Sequence, residues 1–135
     1  MSRRALLTGA AVFLCAQAAT AQTPAGALSA REARDGLANG KIVLIDIRTP
    51  SEWADTGVPR GAIRLDAEGA GFELRLAGIR LDNPGKRVAL IDRTGGLATS
   101  VQQKLGQRGW RDLLTVRGGM LGPGGWMAEK LPVEP

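Results

Sequence analysis

With no histidine and a single cysteine, Cys15, in an apolar stretch close to its N-terminus, this chain is left with carboxylates, guanidinium groups, lysine amines and hydroxyls for any chemistry. A metal would have to be held by oxygen ligands alone, as calcium or magnesium can be, and no spacing of the EF-hand kind is present. Neither a metal nor a cofactor is expected. Two charged groupings remain. Asp92-Arg93 stands before Thr94-Gly95-Gly96, where a carboxylate could serve as a nucleophile or a general base. Asp46 and Arg48, with Glu52 a few residues on, also combine acid and base. The string Asp46-Ile47-Arg48-Thr49 falls one acid short of the D-x-D of aspartyl-nucleophile phosphatases, because Arg48 occupies the second position. Charges at the end of a strand are more often paired with each other than catalytic.

The elements that must position these groups alternate. Lys41 to Asp46 (KIVLID) and Arg87 to Asp92 (RVALID) are unbroken apolar runs of strand length, as in strands covered on both faces. Leu113 to Val116 is a third. Ser29-Ala30-Arg31-Glu32 reads as a capping box with Leu28 as its hydrophobic staple. Ala30, Ala33, Leu37 and Ala38 follow at helical spacing up to the stop at Asn39-Gly40. Thr49-Pro50-Ser51-Glu52 is a second box, opening a short helix through Trp53 and Ala54. A turn at 57–61, a short strand from Ala62 to Leu65, a weak helix from Glu68 to Gly78 and a turn at Asn83-Pro84-Gly85 come next. The loop at 93–96 leads to a helix from Ala98 to Arg108, and a terminal helix is expected around Trp126 to Lys130. This order predicts an α/β fold, a small parallel β-sheet with helices on both faces. Trp53, Trp110 and Trp126 are assigned to packing rather than to a binding shelf.

The N-terminus reads as an export signal. Arg3 and Arg4 precede an apolar stretch from Ala5 to Ala16, and Ala19-Thr20-Ala21 offers a small-x-small cleavage site. The apolar stretch is shorter than the roughly 20 residues a bilayer span needs. Ser2-Arg3-Arg4-Ala5-Leu6-Leu7 partly matches a twin-arginine signal. Leu14 before Cys15 argues against a lipoprotein signal, and with cleavage near Ala21 the only thiol is lost. The expected organisation is a signal peptide at 1–21, a linker at 22–27 and one domain at 28–135, with the product periplasmic or secreted. Removing Arg3 and Arg4 from a net charge of +5 leaves +3, a solubility margin with no basic run to follow a nucleic-acid backbone. No nucleic-acid partner and no membrane span in the mature protein are expected.

Several stretches, in order, resemble one family. Val43-Leu44-Ile45-Asp46-Ile47-Arg48-Thr49-Pro50-Ser51-Glu52-Trp53 is similar to the early strand-and-helix motif of rhodanese-like domains. Val58-Pro59-Arg60-Gly61-Ala62-Ile63 resembles their "IPGAI" turn. Val116-Arg117-Gly118-Gly119-Met120, with Trp126 and Leu131-Pro132-Val133, resembles their terminal stretch. The resemblance spans the mature chain, so the expected domain at 28–135 is a rhodanese-like domain. It implies a structural role for Asp46, Arg48 and Glu52, pinning the strand end to the next helix.

The chain departs from the family at its reactive loop. There the pattern is C-R-x-G-x-R, with backbone N–H groups wrapped around the cysteine sulfur. The matching residues are Asp92, Arg93, Thr94, Gly95, Gly96 and Leu97. Asp92 takes the cysteine position and Leu97 that of the last arginine; Arg93 and Gly95 are kept. The Gly-His before the proline turn is missing, with Thr56-Gly57 nearby. A carboxylate cannot carry a persulfide, and a phosphatase would need both missing residues. Placed between a strand end and a helix N-terminus, Asp92 should accept the loop's own N–H groups and fill the anion site from within. The resemblance therefore implies an exported module that binds or regulates an unknown protein or small molecule without sulfur transfer. The alternative is an unusual hydrolase or transferase, or residual sulfurtransferase-related activity, using Asp92 and Arg93.

Overall fold

The computed structural model describes residues 9–11 and 26–135. The expected signal peptide, save residues 9–11, and residues 22–25 of the expected linker lie outside the described residues.

Eleven elements follow in chain order: β1 (Ala27–Leu28), α1 (Ala30–Ala38), β2 (Ile42–Asp46), α2 (Pro50–Thr56), β3 (Val58–Pro59), β4 (Ile63–Arg64), α3 (Phe72–Asp82), β5 (Arg87–Ile91), α4 (Gly96–Gln107), β6 (Leu114–Val116) and β7 (Val133–Glu134). Five strands form one sheet in the order β1-β6-β5-β2-β4, every neighbouring pair parallel. The centre is the pairing of the two apolar runs, with Val43 beside Val88 and Ile45 beside Leu90. β3 and β7 form a separate antiparallel pair.

Successive side chains of a strand point to opposite faces, and both faces of β2 and β5 are covered. Leu44, Ala89, Ile91 and Val116 meet Ala30 and Ala33 of α1 and the C-terminal residues Met120, Trp126 and Leu131. Val43, Ile45, Val88 and Leu90 meet Leu76 of α3 and Ala98 and Leu105 of α4. All five residues of β2 are buried, as an unbroken apolar run requires. Helices therefore lie on both faces of a small parallel sheet.

The capping box at Ser29 forms in full: the Ser29 hydroxyl accepts from the Glu32 N–H at 3.0 Å, and Glu32 accepts from the Ser29 N–H at 3.1 Å. At α2 the Thr49 hydroxyl accepts from the Glu52 N–H at 3.3 Å, with Pro50 at the first helical position.

Four local expectations need correction. The linker does not run through residue 27: the Thr115 N–H bonds the Gly26 carbonyl at 2.8 Å, and Ala27–Leu28 add an edge strand to β6. The helix expected at 68–78 runs over Phe72–Asp82, because Gly71, with φ of 71°, turns the chain just before it. The helix after the 93–96 loop starts at Gly96 rather than Ala98. Residues 126–130 form turns rather than a helix. There the Leu131 N–H reaches back to the Trp126 carbonyl at 3.1 Å, and Lys130 has φ of 54°.

Candidate functional site

In a parallel sheet all strands end on the same side, and loops leaving those ends converge there. β5 delivers Asp92 to that edge, 2 % exposed. One carboxylate oxygen, Oδ1, accepts the Gly95 N–H at 2.6 Å, and Oδ2 accepts the Ala98 N–H in the first turn of α4 at 2.9 Å. The first N–H groups of a helix have no partner within the helix, and its N-terminal end carries partial positive charge. Asp92 meets both needs with its own side chain. Gly95, with φ of 110°, takes the left-handed conformation that lets so short a loop turn back toward the carboxylate.

A second loop holds the first from behind. The Met120 N–H bonds the Asp92 carbonyl and the Leu121 N–H bonds the Arg93 carbonyl, each at 2.8 Å. The approach is so close that a Cβ on Gly119 would lie 2.6 to 2.7 Å from Asp92 O, Arg93 C and Thr94 N. Only glycine fits there.

In front of the loop lies a cavity of about 150 Å³ lined by Ile47, Arg48, Thr49, Glu52, Asp66, Glu68 and the loop residues Asp92, Arg93, Thr94 and Leu97. Behind the loop a groove of about 420 Å³ runs past Thr94, Gly95, Gly96 and Thr99 to Thr115, Val116 and Gly118. Arg93 is exposed, and Leu97 and Leu121 each show nearly half their surface to solvent. The front cavity carries the carboxylates of Glu52, Asp66, Glu68 and Asp92 against the guanidinium groups of Arg48 and Arg93. Its acids outnumber its bases, which opposes the entry of an anion.

Asp46 and Arg48 form a fully buried ion pair. Arg48 Nε and Nη2 grip the carboxylate at 3.0 and 2.8 Å, and the Trp53 indole N–H donates to Asp46 Oδ1 at 3.1 Å. The guanidinium also donates to Thr56 Oγ1 and to the Gly57 carbonyl, each at 3.0 Å. The pair thus ties the end of β2 to the end of α2. Glu52, grouped with it on sequence, does not join the tie; Thr56 and Gly57 do that work, and Glu52 lines the front cavity instead. The role of Thr56 and Gly57 is invisible in the sequence, because a hydroxyl and a carbonyl that receive a buried arginine leave no sequence pattern. Asp66 and Glu68, the remaining acids of the cavity, follow β4; Asp66 precedes the stretch expected to be helical and Glu68 opens it.

Trp126 is buried with its indole N–H on the Pro132 carbonyl at 2.9 Å. Trp110 packs against the core on the α3 and α4 face and carries the Arg80 guanidinium 4.5 Å from its ring centre. Both therefore pack rather than form a binding shelf. Among the described residues no helix is long and apolar enough to cross a membrane.

Comparison with known proteins bears on this geometry. None of the curated proteins matches the chain. Solved structures do. The protein Rv0390 of M. tuberculosis is 22% identical with a TM-score of 0.65, over 83% of this chain and 98% of that one. A rhodanese-related protein of Thermoplasma volcanium is 20% identical with a TM-score of 0.64, over 81% and 97%. A polysulfide-sulfur transferase homodimer of Wolinella succinogenes is 28% identical with a TM-score of 0.62, over 81% and 77%. The family model described as "Rhodanese-like domain" matches residues 29–122, a span that contains both the buried Asp46–Arg48 pair and the Asp92 loop. The chain belongs to the rhodanese-like domain family.

Proposed function

We propose that this protein is an exported rhodanese-like binding or regulatory module whose anion nest is occupied by its own Asp92. One observation carries the reading: both Asp92 oxygens are taken by the Gly95 and Ala98 N–H groups, at 2.6 and 2.9 Å. A sulfur-transfer enzyme working through a bound persulfide needs a thiolate at that point, and a carboxylate has no lone-pair sulfur to offer. The Wolinella neighbour is a polysulfide-sulfur transferase; Asp92 is the residue that separates this chain from that chemistry. An acid-based hydrolase or transferase is the weaker reading, since a carboxylate buried with both oxygens engaged is poorly placed to attack a substrate. The face offered to a partner is the sheet edge around the loop, with Arg93, Leu97 and Leu121 outermost.

The test is a titration of the purified protein with thiosulfate and with sulfate, followed by calorimetry, beside a thiosulfate:cyanide transfer assay. No saturable binding and no transfer are expected. Tight binding, or transfer at the rate of a cysteine-bearing relative, would overturn the reading. Asp92→Asn separates the two functional readings, because it should leave partner binding largely intact and abolish an acid-based activity. For export, the N-terminus of protein recovered from the periplasm should be Gln22; an intact Met1 there, or retention in the cytoplasm, would refute that part. Replacing Arg3 and Arg4 with lysines should slow export only if the twin-arginine route is used.

A further inference from the structure

The helix α3 carries a feature that the Asp92 site does not use. Its inward face, Phe72, Leu76 and Ile79, packs into the core. At 100° per residue, Leu74, Gly78 and Leu81 fall on the opposite side. Leu74 and Leu81 are 79% and 80% exposed, and a Cβ on Gly78 would meet nothing within 4 Å. Two large apolar side chains one heptad apart, with a glycine between them, make a short seam of coiled-coil spacing.

The charges beside the seam say what covers it. Arg75 and Asp82 are also one heptad apart and lie on the same flank. Both are exposed, and neither forms an ion pair with another described residue. The opposite flank carries Ala77 with Glu73 and Arg80, and these two charges are paired within the chain, Glu73 with Lys104 and Arg108 and Arg80 with Asp112. When two copies of such a helix pack antiparallel about a twofold axis near Gly78, equivalent flanks face each other. Leu74 then meets Leu81 of the second copy, the two Gly78 residues let the backbones approach, and Arg75 stands within one helical turn of the second copy's Asp82. The symmetry makes that contact twice. A parallel pairing would instead turn Arg75 and Asp82 toward the opposite flank, whose Glu73 and Arg80 are already engaged by Lys104, Arg108 and Asp112 of their own chain. The charges left unpaired among the described residues of α3 meet opposite charges in the antiparallel orientation only.

We propose that α3 is a homodimer interface, with Leu74, Gly78 and Leu81 as its seam and reciprocal Arg75–Asp82 pairs fixing its antiparallel register. An interface built on a helix of 11 residues falls at the small end of specific contacts, so the dimer should be weak, with a dissociation constant on the order of 100 µM.

Sedimentation equilibrium of the purified protein, from about 10 µM to about 1 mM, tests this. The expected result is a reversible monomer–dimer equilibrium that Leu81→Glu weakens at least about tenfold. Arg75→Glu and Asp82→Arg should each weaken it about three- to tenfold, and the double exchange should restore it. Mixing the two single variants should give heterodimers, because each then meets an opposite charge. These positions are exposed, so circular dichroism should show every variant folded. A monomer throughout the range overturns the proposal, as does a dimer indifferent to these exchanges or single variants that the double exchange fails to rescue.

Discussion

At Asp92 the two carboxylate oxygens take N–H groups three and six residues downstream, and each bond is strengthened by the acceptor's charge. Asp92→Ala should cost about 2–3 kcal/mol in urea unfolding, because two N–H groups, one of them buried, lose their charged acceptor. The same variant should gain affinity for sulfate: its melting temperature should rise with added sulfate more than that of the unaltered protein. An equal response would mean the carboxylate does not fill the nest. Arg48→Met should be worse for stability, by about 3–5 kcal/mol, since it leaves Asp46 charged and buried with its main partner gone. Glu52→Gln should stay within about 0.5 kcal/mol, in keeping with its place on the cavity wall. Of these residues the sequence could supply identities and neighbours only. Asp92's bonds were legible because a strand end followed by a helix start leaves few other acceptors for it to be. The tie from Arg48 to Thr56 and Gly57 was not, since it depends on where α2 happens to end.

Among the elements, those that announce themselves by a run or a cap are legible, and of the two-residue strands only β4 is. β2, β5 and β6 are apolar runs, and α1 carries a complete capping box; Ser29→Ala should cost about 1 kcal/mol, read by chemical denaturation. β1, β3 and β7 have two residues each, too few for any period to show. Their partners are set by tertiary contact. The bounds of α3 are hard to read from sequence because apolar residues lie on both its inward and its outward sides, so no single stripe marks them. It is fastened to α4 at the surface, where Glu73 receives Lys104 at 2.7 Å and Arg108 at 2.5 Å. The hydrogen bond from Lys104, with the charges of Arg108 and Lys104 close by, holds the Glu73 carboxyl below its ordinary value, against an opposing effect of desolvation. A carboxyl with a lowered folded-state pKa adds stability above its unfolded value and loses it as pH falls through the folded one. The Glu73→Gln variant should therefore differ from the parent near neutral pH and converge with it under acid conditions below pH about 4. Thermal melts across that range check the convergence.

For the whole molecule the decisive fact is that one sheet separates two cores. Trp126 reports one and Trp110 borders the other. Because β2 and β5 contribute to both, the two should melt together. Variants that keep only Trp126 or only Trp110, with the other two tryptophans changed to phenylalanine, should show the same fluorescence midpoint once corrected for their own stability by circular dichroism. Separate midpoints would mean the faces unfold independently. The fold class could be anticipated because strand–helix alternation with short links leaves a parallel sheet as almost the only outcome. The closing stretch could not, since residues 117–132 follow backbone contacts between glycines and carry no regular pattern.

Those backbone contacts decide what can change in this protein. The outline of the Asp92 loop is drawn by main-chain atoms: Met120 and Leu121 reach its carbonyls, and Gly119 lies flat against it. Gly119→Ala should therefore cost several kcal/mol, whereas Gly124→Ala, at φ of 69° but with open space around it, should cost about 1 kcal/mol. The side chains that face outward, those of Arg93, Thr94 and Leu97, take almost no part in holding that outline. A mould cast in peptide groups keeps its form when the reactive atom inside it is exchanged for another.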